Sequence, residues 1–80
     1  MKYENDDMNA LERLHSDFCS QMWEQIVEKH NQGYRGWDIP DFITDEDLEN
    51  KIQEKFEQMD WLALANYSML LWNRYEKTPV

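Results

Sequence analysis

An all-α fold is predicted for this 80-residue chain by three features of its sequence. Glycine and proline are scarce, two of each. Apolar side chains recur every three or four positions, and no stretch alternates apolar with polar residues at the period of two that a half-buried strand would need. The pattern resolves into a three-helix unit: a long N-terminal helix, an ordered aromatic loop and a helical hairpin, all within one domain.

The first helix is expected to start near Asn5 or Asp6, both good caps, and to run to about Asn31. Met8, Leu11, Leu14, Phe18, Met22 and Ile26 form one stripe on it, which His15, Cys19, Trp23, Val27 and His30 widen, while Asp17, Glu24 and Glu28 mark the wet side. This helix carries more apolar surface than one short partner covers. His15 reads as a hydrogen-bonded core histidine and Cys19 as packing, with no activating neighbour. Gln32 and Gly33 stop the helix. Tyr34 to Phe42 then reads as an ordered loop, too aromatic for a floppy linker.

Thr44 followed by Asp47 resembles a capping box, and Asp45 and Glu46 suit the positive end of the new helix dipole. The second helix is expected from about Asp45 to Gln58, with Leu48, Ile52, Phe56 and Met59 on its inner face. Asp60 caps a third, from Trp61 to about Tyr75, which is apolar on nearly every side and is interrupted by Asn66, Asn73 and Arg74. Two other helices in a chain this short barely cover such a surface, so self-association is expected. Its interface is placed on Trp23, Val27, Leu62, Met69, Leu70 and Trp72. Residues 1–5 and 76–80 are expected to fray.

Seventeen acids against eight Lys and Arg give a net charge of −9. This balance argues against direct nucleic-acid binding, where affinity comes largely from basic side chains displacing counterions. A single cysteine allows no intrachain disulfide and no cysteine-rich zinc site. Glu4, Asp6 and Asp7 stand where a signal peptide needs a basic start and an apolar run, and no segment approaches a membrane span, so a cytoplasmic location is expected.

Charge is concentrated between Asp38 and Asp60, where nine acids face two lysines and leave −7 of the total. Asp41, Asp45, Glu46, Asp47, Glu49, Glu54 and Glu57 form a candidate docking face for a basic groove on another protein. Glu54 and Glu57 have the i, i+3 spacing of paired metal ligands, but the neighbouring helix offers Asp60 and then Ala63, so no metal site is expected. Lys29, His30, Tyr34, Arg35 and Trp37 gather cations and aromatic rings around the loop, as a nucleotide phosphate and base would require. No Ser/His/Asp arrangement, glycine-rich phosphate loop or HExxH occurs, and no catalytic residue is assigned.

Gly36-Trp37-Asp38 and the run Asp60-Trp61-Leu62-Ala63-Leu64-Ala65-Asn66-Tyr67-Ser68-Met69-Leu70-Leu71-Trp72 resemble a group of short phage and prophage proteins with a GWxD-like loop and a GDxxDVANFxMML helix. That helix is in turn similar to the closing motif of MazG-like all-α nucleotide pyrophosphohydrolases. The resemblance covers about the last 50 residues. In those enzymes an ExxE on one helix and an ExxD on the next bind Mg²⁺ to hydrolyse nucleoside triphosphates. Glu54 and Glu57 match the first pair and Asp60 the first acid of the second, while Ala63 stands where the last acid belongs. The resemblance therefore implies a degenerate member: a helical, oligomeric, phage-type accessory protein with a relict nucleotide site.

Two functional readings follow. In the first, a small acidic interaction protein inhibits or modulates a host defence or nucleic-acid-handling factor by covering its basic surface, without catalysis or cofactor. In the second, a noncatalytic protein sequesters a nucleotide through Lys29, His30, Tyr34, Arg35 and Trp37.

Overall fold

The structure, a computed structural model, describes residues 2–77, with side-chain surroundings for 6–76. It contains three helices, α1 (Lys2–Asn31), α2 (Asp45–Glu57) and α3 (Trp61–Lys77), and among the described residues no strand. The all-α expectation holds. Of the ends expected to fray, Lys2–Asn5, Glu76 and Lys77 are helical, and the rest lie outside the described residues. The first helix therefore begins before the expected caps, with Asp6 and Asp7 near its start, where carboxylates favour the dipole.

Local chemistry explains each boundary. At the end of α1, the Gly33 N–H donates to the His30 carbonyl and the Tyr34 N–H to the Lys29 carbonyl, with Gly33 at φ 97°. This is a Schellman ending, whose left-handed residue is cheapest as glycine. The Thr44 hydroxyl accepts from the Asp47 N–H while the Asp47 carboxylate accepts from the Thr44 N–H, closing the expected capping box. The end of α2 repeats the Schellman pattern through Met59 N–H to Phe56 and Asp60 N–H to Lys55. Here the left-handed position, φ 57°, is occupied by Met59 instead of glycine. The Asp60 carboxylate then accepts from the Ala63 N–H and caps α3.

α3 lies between the other two helices and packs more extensively on α2 than on α1. Its buried positions Ala63, Asn66 and Arg74 share one face with half-buried Leu70, at the spacing of a helical stripe. Asn66 Nδ2 donates to the Met22 carbonyl at 3.2 Å and to Gln25 Oε1 at 2.9 Å, which fixes α3 against the second half of α1. Arg74 fixes the other end. Its guanidinium reaches Asp45 Oδ1 at 3.0 Å and the Trp37 carbonyl at 2.8 Å, so α3 is tied to the start of α2 and to the loop. Since Asn66 meets the second half of α1 and Arg74 the loop beyond its end, α3 runs in the same direction as α1.

The core is thinner than the sequence pattern suggested. Leu48 and Ala63 are the fully buried apolar side chains among the described residues. On α1, Met22 and Ile26 are half-buried, whereas Met8, Leu11, Leu14 and Phe18 are exposed. The expectation that these six share one covered stripe is thus corrected. α3 has 17 residues and α1 has 30, so α3 reaches only the second half of its partner. Phe56 and Met59 on α2, and Trp61, Trp72 and Tyr75 on α3, are likewise exposed.

Candidate functional site

The acidic face divides according to what each carboxylate does. Asp45 is the ion-pair partner of Arg74, and Asp47 belongs to the capping box. The Thr44 backbone N–H, and then its hydroxyl, hold the Asp47 pKa below its ordinary value, and the positive charge of Arg74 acts in the same sense. Glu54, half-buried, accepts from Lys51 at 3.3 Å and from Gln58 at 3.4 Å. Glu57 accepts from Gln53 Nε2 at 3.2 Å. Glu46, Glu49, Gln53 and Glu57 fall on one exposed stripe of α2, opposite buried Leu48. Asp41 stands exposed in the preceding loop. Of the seven candidate carboxylates, Asp41, Glu46, Glu49 and Glu57 therefore point to solvent without a role in holding the fold. Among the described residues no three His, Cys, Asp or Glu side chains converge as a metal site would require.

The cationic and aromatic group around the loop is brought together, but in an arrangement that serves the end of α1. Arg35 Nη1 donates to the carbonyls of His30 at 2.6 Å and Tyr34 at 2.9 Å. Lys29 Nζ lies 5.0 Å from the centre of the Tyr34 ring, a cation–π contact. Arg35 satisfies a carbonyl at the negative pole of α1, where an incoming phosphate would meet an opposing dipole. Tyr34 and Trp37 are exposed, and the Trp37 carbonyl is held by Arg74.

Two residues read as core from the sequence lie elsewhere. His15 and Cys19 are both exposed, with His15 Nε2 3.5 Å from Cys19 Sγ, because they sit one helical turn apart on the uncovered half of α1. Conversely, Asn66 and Arg74, read only as interruptions of an apolar helix, are the polar residues that lock the three helices. Their spacing with Ala63 and Leu70 was the available signal. The Asn66 Oδ1 atom is buried without a hydrogen-bond partner among the described residues. Of the expected association surface, Trp23, Val27, Met69 and Trp72 are exposed, and Leu62 and Leu70 are half-buried.

No family model matches this chain, and neither the curated proteins nor the solved structures give a match. The reading of function therefore rests on the surfaces themselves. Large apolar side chains stand open on all three helices: Leu11 and Leu14 on α1, Phe56 on α2, Trp61 and Trp72 on α3. Exposed apolar side chains of this size, where they gather into a patch, are what macromolecular contacts cover. Among the described residues no helix is long and apolar enough to cross a membrane.

Proposed function

We propose that this protein acts by binding another protein, without catalysis, and that the carboxylate stripe of α2 makes the contact. The observation that carries the reading is the alignment of Glu46, Glu49 and Glu57 on one exposed face of a capped helix, with Asp41 beside its start. The partner such a stripe fits has a Lys- and Arg-rich surface, as proteins that handle nucleic acid do. Opposite charge speeds the encounter and selects against acidic competitors. If the resemblance to short phage proteins holds, the target would be a host defence or nucleic-acid-handling factor, which a covering acidic protein would inhibit or modulate.

Charge reversal tests the proposal. The wild-type chain and the double variant E46K/E49K are each used to capture host proteins at several salt concentrations. The expected result is a basic protein retained by the wild type, lost with rising salt, and absent from the variant, whose circular dichroism is unchanged. A captured protein held equally by both chains, or no protein preferring the wild type, refutes it.

A further inference from the structure

The uncovered half of α1 has a definite geometry. Every described side chain from Asp6 to Gln21 is exposed, over about 24 Å of helix. The residues that α3 covers farther along, Met22, Gln25, Ile26 and Lys29, lie on the same face as Met8, Leu11, His15 and Phe18. One seam therefore runs the length of α1, filled by α3 over its second half and open over its first. Most helical stability in a protein comes from packing of an apolar face, and this part of the α1 face has no partner within the chain.

The dimensions agree. The accessible surface is 6857 Å², whereas a compact monomer of 9.8 kDa would expose about 5,200 Å². The radius of gyration is 15.6 Å, against about 11.6 Å for a compact domain of 80 residues. The excess surface, about 1,700 Å², is roughly twice what each partner of a standard stable interface buries. Beside the point where α3 begins, the turn between α2 and α3 adds Phe56, Met59 and Trp61, exposed by 57%, 71% and 52%. Phe56 and Trp61 stack edge to face, with ring centres 6.0 Å apart. Met59 keeps its apolar side chain in open solvent at φ 57°, a backbone position that a glycine would occupy with less strain. Strain retained at an exposed apolar residue points to a contact that uses the side chain.

From this geometry we infer that a second copy of the chain fills the open seam, with the two α1 helices pairing antiparallel about Arg13 in a two-fold dimer. In this register Met8 meets the partner's Phe18, and Leu11 meets the partner's His15. The first turns of each α1 arrive at the Phe56, Met59 and Trp61 cluster of the other copy. A parallel pair would instead set Asp7 of the two chains at one level beside the seam and leave that cluster bare. This surface is separate from the carboxylate stripe of α2, so the two proposals stand or fall independently.

Sedimentation of the full chain from sub-micromolar to tens of micromolar concentration tests the dimer, with far-ultraviolet circular dichroism at the same concentrations. The wild type is expected to pass from monomer to dimer with rising concentration and to gain helicity in parallel. L11E/L14E, altered on side chains at least half exposed in the protomer, is expected to lose association by on the order of a thousandfold or more, with a circular dichroism spectrum that matches that of the dilute, monomeric wild type. Trp23→Ser and Trp72→Ser are expected to leave association unaltered. A spin label at Asp6→Cys, in a Cys19→Ser background, is expected to report an axial separation of about 21 Å between copies, where a parallel pair would bring the labels side by side. A monomer throughout the range, association surviving in L11E/L14E, or association lost in the tryptophan variants instead overturns the inference. So does a monomer whose Leu11 and Leu14 bind phospholipid vesicles or an unrelated protein.

Discussion

Replacing Arg74 removes the contact that ties α3 to the start of α2 and to the loop. In Arg74→Ala two hydrogen bonds from a charged donor disappear, to Asp45 and to the Trp37 carbonyl. Bonds to charged groups contribute about 1.5–3 kcal/mol each. The Asp45 carboxylate is 50% exposed while the arginine side chain is 9% exposed, so water compensates the acid and the ion-pair share falls below about 1 kcal/mol. The Trp37 bond and the lost packing of the stem bring the expected destabilisation to about 2–3 kcal/mol. For a domain of this size that is a fall in Tm of about 10–20 °C. Arg74→Met keeps the stem and should recover the packing share, and Arg74→Lys should keep one bond of the two, because an ammonium cannot span both acceptors. Urea unfolding of the three variants at one fixed protomer concentration gives the comparison, since association adds to apparent stability. A loss below about 1 kcal/mol in Arg74→Ala, or Arg74→Lys as destabilised as Arg74→Ala, would show that α3 is not held in the way described.

Three other substitutions probe separate parts of the fold. Asp47 has a folded pKa below its unfolded one, so its contribution is complete above the ordinary carboxylate range and is lost as pH falls through that range and on through the lower folded value. Asp47→Asn should therefore flatten the acid limb of a stability-against-pH curve, and an unchanged limb would exclude the capping box as its source. Asn66→Ala removes the two bonds that join α3 to α1 and should cost about 1–2 kcal/mol, with amide exchange in Met22–Lys29 accelerated more than in α2. Met59→Gly relieves a left-handed backbone but loosens the unfolded chain, for a net gain of about 0.5–1 kcal/mol in the protomer. The same variant should dimerise more weakly, and thermal unfolding with sedimentation reads both effects.

The sequence was informative where structure is set within a few residues. Gly33, the Thr44 and Asp47 pair and Asp60 mark their helix ends through local hydrogen bonds, backbone to backbone or side chain to backbone, that span five residues or fewer, and all three act as their chemistry suggests. Coverage of the α1 stripe depends on something else: how far a helix of 17 residues reaches along one of 30, and where Asn66 sets the register. Periodicity reports that Met8 and Met22 share a face but not that only Met22 has a neighbour. The carboxylates show the same division. Asp47 was readable as a cap, whereas the pairing of Asp45 with Arg74 crosses 29 positions of chain and appears only once α2 and α3 are folded against each other.

Indole rings report their surroundings through fluorescence, and all four tryptophans of this chain, Trp23, Trp37, Trp61 and Trp72, are open to water, from 46% to 64%. Emission from the free protomer should already resemble that of an unfolded chain, so heating or urea would change its colour little. A blue shift would signal contact with another molecule. Because the four rings lie on α1, the loop and opposite ends of α3, tryptophan-to-phenylalanine variants would identify which side is touched, without any added label.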